Sequence, residues 1–255
     1  MENIIEIEEL TFSYPDKLIF SNLNLIIPKG AFFTILGPNG SGKSTLLKLL
    51  AGKLNADTFI MIENTPIIKE SFELIKDDVS YITSSPKVTN KNTKVKELLT
   101  SDSMLKKFVK NLKIDSLLEK PISKLNTENK ILVEFIKVII QKPKIIIIDS
   151  ALEFLSKNHK QEVVKILKQL NENGTTIINA TNNIDDCLLG NYIGIITEKN
   201  IMFGPSEIVL DNEELFEHCS LNLPFIIELS HKLQFYSLIN NIYVNSEKLV
   251  EDLWT

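Results

Sequence analysis

Arginine is absent from this chain, because all 28 basic side chains among its 255 residues are lysines. A lysine ammonium cannot form the planar, two-pronged contact that a guanidinium makes with a carboxylate or a phosphate. No arginine clamp or arginine finger can therefore come from this chain. The net charge is −5 and the pI about 5.4, so the basic surplus that is typical of nucleic-acid-binding proteins is also lacking. We therefore expect no nucleic-acid partner.

Cysteine and long apolar runs are also scarce. The two cysteines, Cys187 and Cys219, lack the spacing of a metal site, which favours a reduced, intracellular protein. The longest purely apolar runs are short, for example Ile145 to Ile148. A membrane-spanning helix needs about 18–20 such residues. The acidic N-terminus does not resemble a secretory signal. If the protein works at a membrane, we expect another chain to supply the span.

Strand and helix patterns alternate along most of the sequence. Short apolar runs predict strands buried on both faces, and apolar spacings of three and four predict amphipathic helices. The predicted strands cover residues 5–14, 23–27, 31–36, 144–149, 175–180, 192–197 and 200–203, and the predicted helices cover 43–53, 157–171 and 225–235. This alternation implies an α/β fold with a mainly parallel sheet and helices on both faces.

Two further segments give the expected domain boundaries. Residues from about 87 to 142 have a helical pattern between two predicted strands, which predicts a helical subdomain inserted into one sheet. Residues 210–255 are predicted to form a helical C-terminal extension, with Pro224 as the first residue of one helix. The main domain is then expected to cover residues 1–209.

One glycine-rich segment carries a specific chemical signal. The sequence Gly37-Pro38-Asn39-Gly40-Ser41-Gly42-Lys43-Ser44 matches the pattern G-x-x-x-x-G-K-[ST], between a predicted buried strand and a predicted helix. Glycines let several backbone N–H groups face one anion, and the following helix adds its positive end. We expect Lys43 to reach the β- and γ-phosphates of a nucleotide and Ser44 to bind Mg²⁺, with Thr45 completing the binding segment. The alternative is a tight turn without a ligand.

A carboxylate follows a second buried strand. Asp149 ends the run Ile145 to Ile148, and a carboxylate at the carboxyl end of a strand beside a phosphate loop can hold Mg²⁺ through water. An aspartate after a strand is otherwise more often a helix cap. Because the phosphate loop is present, we favour the magnesium role.

These residues resemble the ATP-binding subunits of ABC transporters. The loop sequence GPNGSGKST is typical of that family, and the resemblance extends over about residues 3–240. It implies a P-loop, RecA-like fold with an N-terminal antiparallel strand layer, and it makes residues 1–209 a nucleotide-binding domain. Within Phe12-Ser13-Tyr14-Pro15, Tyr14 takes the position of the aromatic residue that stacks on adenine. The alternative for Tyr14 is an ordinary strand aromatic.

The C-terminal segment resembles one branch of the family. The sequence Leu221-Asn222-Leu223-Pro224-Phe225, followed by Glu228-Leu229 and Lys232-Leu233, is similar to the C-terminal segment of energy-coupling-factor ATPases, which drive vitamin and metal-ion uptake. The resemblance implies ATP and Mg²⁺ as cofactors, and a sister ATP-binding subunit and integral membrane transport subunits as partners. It also implies a cytoplasmic protein on the inner face of the cell membrane. The segment from about Ser84 to Leu99 would contact the membrane subunit.

The chain departs from the family pattern at several positions. The family's water-polarising Glu is replaced by Ser150, its switch His by Asn182, and its γ-phosphate-sensing Gln by Ser84. The signature loop, LSGGQ in the family, aligns with Leu125-Asn126-Thr127-Glu128-Asn129, and the Asp of the loop after Ser150 aligns near Ser156. Serine is not a base near neutral pH without an activating partner, and losing a positioned base costs about 10²–10⁴ in rate. No catalytic residue of the family is therefore intact at these positions.

Glu128 introduces a charge into the signature segment. In the family this segment faces the nucleotide of a second subunit, because two subunits pack head to tail. A carboxylate about 4 Å from a γ-phosphate would be repelled by roughly 4 kcal/mol per charge pair at an effective dielectric constant of 20. We expect either that the loop turns away or that the closed dimer is weak.

The leading hypothesis is an asymmetric heterodimer in a membrane importer. This chain would bind MgATP and hydrolyse it poorly on its own, while an intact sister subunit would perform most of the hydrolysis that drives transport. The main alternative is a nucleotide-binding regulator or scaffold without a transport role, and a weaker one is a soluble protein of cofactor assembly.

Overall fold

The computed structural model describes residues 2–56, 59–67, 69–86, 92–99 and 108–254, and two sheets form its framework. The smaller sheet is antiparallel and has the strand order β2-β1-β4-β5, with strands β1 (Asn3–Tyr14), β2 (Lys17–Pro28), β4 (Ile60–Ile62) and β5 (Thr65–Pro66). The larger sheet has the order β10-β9-β3-β8-β7-β6, with strands β3 (Phe32–Leu36), β6 (Val79–Thr83), β7 (Ile145–Asp149), β8 (Thr176–Ala180), β9 (Tyr192–Thr197) and β10 (Asn200–Pro205). All its neighbouring strands are parallel except the β9–β10 hairpin. The expected α/β fold and its antiparallel layer are confirmed.

The helices occupy the connections between strands and the C-terminal segment. They are α1 (Lys43–Leu50), α2 (Lys69–Ile75), α3 (Val95–Leu98), α4 (Thr127–Gln141), α5 (Lys157–Glu172), α6 (Ser206–Leu210), α7 (Glu213–His218), α8 (Phe225–Phe235) and α9 (Ser246–Leu253). In the part of the chain that the structure describes, each helix is too short or too polar to cross a bilayer.

Helix α1 lies between the two sheets. Its buried leucines, which include Leu46 and Leu50, share one apolar cluster with Ile5 of the smaller sheet and with Ile147 of the larger sheet. The side chains of β7 alternate, so Ile146 and Ile148 belong instead to a second cluster with α4 and α5 on the opposite face. A strand buried on both faces explains the uninterrupted isoleucine run.

The fold brings several strand ends to one edge. Strands β3, β7 and β8 are parallel neighbours, so the loops after Leu36, Asp149 and Ala180 meet at the carboxyl edge of the larger sheet. Ligands of open α/β sheets bind at this kind of edge. The predicted phosphate loop and the predicted magnesium carboxylate therefore lie on the same side of the molecule.

Helix α1 is shorter than predicted. It ends at Leu50 rather than Lys53, because Gly52 adopts a left-handed conformation with φ of +60°. A Cβ on Gly52 would lie 2.6 Å from the ring of Phe72, so the chain turns there beneath an aromatic side chain of α2. This long-range contact is not visible in the local pattern of leucines.

Other differences are small. Pro224 is the N-cap of α8 rather than its first helical residue, since its ψ of 139° is extended. Strands β4 and β5 and helix α2 were not predicted, because they are short. Strand β6 is as long as β3 but was also not predicted, because its sequence VSYIT is not a continuous apolar run. Between β6 and β7 the described residues form α3, α4 and single 3₁₀ turns, while 87–91 and 100–107 of the predicted helical segment lie outside the described residues.

Candidate functional site

The glycine-rich segment forms the loop between β3 and α1. Gly42, the N-cap of α1, has φ of +111°, and Gly37 has φ of +151°. A Cβ on Gly42 would lie 2.7 Å from the Phe20 ring, and one on Gly37 would lie 2.9 Å from the carbonyl oxygen of Ile196. Only glycine fits both positions, so the backbone can curl at the start of α1.

Lys43 is held inside this loop. Its Nζ donates to the carbonyl oxygens of Gly37 at 2.5 Å and Pro38 at 3.0 Å, and the side chain is buried. Burial lowers the pKa of Lys43 below its ordinary value, although the negative charges of Glu153 and Asp149 oppose that effect. The predicted phosphate-binding cation therefore lies in a partly desolvated loop where its field is weakly screened.

Asp149 accepts two hydrogen bonds at the end of β7. Ser44 donates to its Oδ1 at 2.7 Å, and the hydroxyl of Tyr81 donates to its Oδ2 at 2.5 Å. The two predicted magnesium residues are thus in direct contact, and both present oxygen, the ligand atom that Mg²⁺ prefers. No three His, Cys, Asp or Glu side chains in the described ranges cluster as a metal site. A magnesium ion here would take its other ligands from phosphate and water.

Tyr81 was not among the predicted site residues. It lies on β6 next to β7, and its ring is 4.8 Å from the Nζ of Lys53. Burial and the hydrogen bond to Asp149 raise the pKa of Tyr81 well above its ordinary value, so the phenol remains a proton donor. The pairing of two parallel strands brings it to Asp149, and no local motif marks it.

The hydroxyl of Ser41 indicates that the loop suits an anion. Its Oγ is buried and has no hydrogen-bond partner within the described part of the chain. A buried hydroxyl without a partner is costly, and a phosphate oxygen would supply an acceptor. The residues present therefore fit a nucleotide phosphate.

Two side chains of the smaller sheet approach the loop. The hydroxyl of Tyr14 lies 3.4 Å from Oγ1 of Thr45, and its ring packs edge-on against Phe12 with 5.2 Å between centroids. Tyr14 remains 39% exposed, so part of its ring faces solvent beside the loop. Lys17, which was not predicted, places its Nζ 4.0 Å from the position of a Cβ on Gly40.

The three substituted positions gather at the carboxyl edge of the sheet. The Ser84 amide donates to the carbonyl oxygen of Asp149 at 3.2 Å, and the Ser150 amide donates to that of Ala180 at 2.9 Å. Ser150 has φ of +53°, the left-handed region that non-glycine residues rarely adopt. Asn182 follows β8 and is exposed.

Glu153 is a carboxylate at this edge that the sequence did not single out. Its Oε1 accepts from the Asn182 amide at 2.7 Å and from the Thr181 hydroxyl at 3.1 Å. The side-chain amide of Asn182 lies 3.4 Å from the same oxygen. A carboxylate three residues after Ser150 thus accepts hydrogen bonds from the turn at the switch position.

The signature segment is bound to its own chain. Asn126 caps α4 by accepting from the Asn129 amide at 2.8 Å. Glu128, two residues after Asn126, accepts a hydrogen bond from the Ser156 amide at 2.7 Å. Its Oε1 also lies 2.7 Å from Nδ1 of His159. Burial acts to raise the pKa of Glu128, but the hydrogen bonds from His159 and Ser156 outweigh it and hold the pKa below its ordinary value. The Glu128 carboxylate thus points toward Ser156 and His159 of its own chain.

A family model described as "ABC transporter" matches residues 20–153. The energy-coupling factor transporter ATP-binding protein EcfA1 of Fusobacterium nucleatum is 32% identical over 266 residues, covering 98% of this chain and 97% of the relative. The protein of the same name from Mesomycoplasma hyopneumoniae is 27% identical over 272 residues, with 98% and 97% coverage.

Solved structures show the same fold. CbiO1 of Clostridium perfringens, described as part of the ABC transporter complex cbiONQ, superposes with a TM-score of 0.69 at 24% identity, covering 92% of this chain and all of that chain. A nucleotide-free ATP-binding cassette from an ABC transporter gives a TM-score of 0.71 at 21% identity, covering 86% and 99% of the two chains.

Proposed function

Since this chain belongs to the ABC transporter family, as an ATP-binding subunit similar to the energy-coupling-factor proteins, we propose that it binds MgATP for an importer of that kind. The observation that carries the proposal is the set of contacts around the phosphate loop. Lys43 is buried in the loop, and Ser44 bonds to Asp149 across the start of α1. These groups match a nucleotide's phosphates and their metal ion in charge and in donor type.

Each residue of the site has a proposed role. Backbone N–H groups of residues 39–42 and the ammonium of Lys43 bind the phosphates, and the Ser41 hydroxyl donates a further hydrogen bond. Ser44 and Asp149 hold Mg²⁺, which neutralises phosphate charge when it is bound. Tyr14 stacks on the base beside Thr45, which is supported by its partly exposed ring.

We propose that hydrolysis at this chain's own loop is slow. Ser150 offers no carboxylate to the attacking water, and Glu153 is already an acceptor for Asn182 and Thr181. Asn182 can donate a hydrogen bond to a phosphate but cannot carry a proton. The chain would hold ATP for long periods and turn it over poorly.

The pairing we propose is a head-to-tail heterodimer with a sister ATP-binding subunit. The sister would perform most of the hydrolysis at the level of the assembly, because it would supply the Glu and His that this chain lacks. The assembly would lie on the cytoplasmic, inner face of the cell membrane, bound to integral membrane subunits.

A groove of about 720 Å³ between the sheet and α4 is our proposed contact for a membrane subunit. Four lysines line it against one glutamate, namely Lys48, Lys53, Lys130, Lys137 and Glu134. Ser85 and Leu98 of the expected contact segment 84–99 also line it, while 87–91 lie outside the described residues. The charge balance favours a membrane subunit whose docking segment carries acidic side chains.

A tagged chain purified from solubilised membranes tests the function. We expect it to bring down an integral membrane protein and a second ATP-binding subunit. The charge-reversed double variant K48E/K130E should lose the membrane protein, whereas K165E/K168E on the exposed face of α5 should retain it. Recovery of this chain alone would instead favour the nucleotide-binding regulator or scaffold.

A further inference from the structure

Glu128 connects two helices that are distant in sequence. It lies in the first turn of α4, and its carboxylate contacts Ser156, the N-cap of α5, and His159 in the first turn of α5. No acidic residue lies in the first turn of α5 itself. Glu128 therefore supplies from another element the negative charge that a helix N-terminus favours.

Glu128, Ser156 and His159 form a small hydrogen-bonded cluster. Oγ of Ser156 lies 3.1 Å from the same Nδ1 of His159 that faces Glu128, and the Glu128 and His159 side chains are 25% and 27% exposed. A carboxylate that accepts two hydrogen bonds in a half-buried place is held in one direction. Here that direction leads toward the chain's own α5.

We propose that Ser156 and His159 draw the Glu128 carboxylate back into this chain, so that the signature segment tolerates a nucleoside triphosphate held by the sister subunit. This inference rests on the head-to-tail pairing proposed above. Glu128 is then a positioning partner of Ser156 and His159, and its carboxylate is already hydrogen-bonded before the second subunit approaches. Freed from His159, the same carboxylate would repel the sister's phosphates.

The first test uses this chain alone. Amide hydrogen exchange at Ser156, followed by NMR or mass spectrometry, should accelerate roughly tenfold in Glu128→Ala, because a charge-assisted hydrogen bond is lost. Glu128→Gln keeps an acceptor in place and should exchange at an intermediate rate. Glu172→Ala at the far end of α5 is the matched control and should leave Ser156 unchanged. Equal exchange in wild type and Glu128→Ala would overturn the contact and with it the inference.

The second test uses the co-purified complex and measures the ATP concentration that half-saturates association of the two ATP-binding subunits. His159→Ala should raise that concentration about tenfold, since the carboxylate is released toward like charge. The double variant Glu128→Gln with His159→Ala should return it to within about twofold of wild type. His218→Ala, on α7, is the control. A purely structural role for His159 would give no such rescue.

The outcomes separate the two proposals. If association depends on ATP but His159→Ala behaves as wild type, or if the double variant stays as weak as the single one, the inference on Glu128 is wrong and the proposed pairing stands. If the wild-type subunits do not associate in response to ATP, the head-to-tail pairing is wrong, and the exchange result for Ser156 then describes only an internal contact.

Discussion

The phosphate loop and the carboxyl-edge turns of this protein differ in how far each retains the chemistry of its family. The loop from Gly37 to Ser44 has glycines at positions where a Cβ would clash. It also has a buried lysine, Lys43, and a serine, Ser44, that donates a hydrogen bond to Asp149. The turns after β7 and β8 have Ser150 and Asn182 where a base and a proton carrier are expected. This difference is the basis of our proposal that binding and hydrolysis rest on separate groups, so that one can be kept while the other is altered.

The largest expected effect concerns the loop. Lys43→Ala should weaken ATP binding by about a hundredfold, roughly 3 kcal/mol, because a buried cation facing the phosphates is removed. Isothermal titration calorimetry with MgATP measures the loss. Lys48→Ala, on the same helix and facing the groove, is the control and should bind normally. A loss below threefold for Lys43→Ala would show that the loop is not the phosphate site.

The next effect concerns the turn after β7. Ser150→Glu should raise single-turnover ATP hydrolysis by at least about tenfold, because a positioned base contributes about 10²–10⁴ in rate. Ser150→Ala should leave the rate unchanged. Hydrolysis by the wild-type chain at the rate of Ser150→Glu would show that the turn is already competent, and the contrast between the two regions would disappear.

A smaller effect is expected for Tyr14, the residue proposed to stack on the base of the nucleotide. Tyr14→Ala should weaken ATP binding about tenfold, since stacking on one base contributes about 1–3 kcal/mol. Tyr14→Phe keeps the ring and loses only the long contact to Thr45, so it should bind nearly as wild type. Competition experiments, in which triphosphate without a base displaces fluorescent ATP, measure how much the base contributes to binding in each variant. If Tyr14→Phe and Tyr14→Ala are equally weak, the hydroxyl rather than the ring is the binding group.

The smallest effect concerns Tyr81, which donates a hydrogen bond to Asp149. Tyr81→Phe removes one hydrogen bond to Asp149, which contributes about 1 kcal/mol, and should lower Mg²⁺-dependent ATP affinity by roughly threefold to tenfold. Titration of MgCl₂ at fixed ATP reveals the change. Binding measured in EDTA should be the same in both proteins, and a difference there would assign Tyr81 to the nucleotide instead of the metal.

Local patterns were sufficient for the loop and for the strands that support it. Lys43 and Ser44 lie within one eight-residue motif, and the strand before it is a single apolar run. Asp149 was predicted in the same way, from the isoleucine run that it ends. Each of these groups of residues lies within one short segment of the sequence. Their chemical roles can therefore be predicted without knowledge of the fold.

Long-range contacts could not be predicted in this way. Tyr81 reaches Asp149 across 68 positions, and Glu128 reaches His159 across 31. His159 lies in the first turn of α5, and no local pattern indicates its contact with the signature segment. Glu153 was missed because a carboxylate in a turn is common and only its contact with Asn182 gives it significance.

The position of α1 between two sheets has a mechanical consequence. A helix packed on both sides in a dense interior cannot slide past one layer without opening the other. Force applied at its N-terminus, where Gly42 lies against Phe20, is therefore delivered to both sheets together. The two sheets and α1 therefore respond to such a force as one packed body.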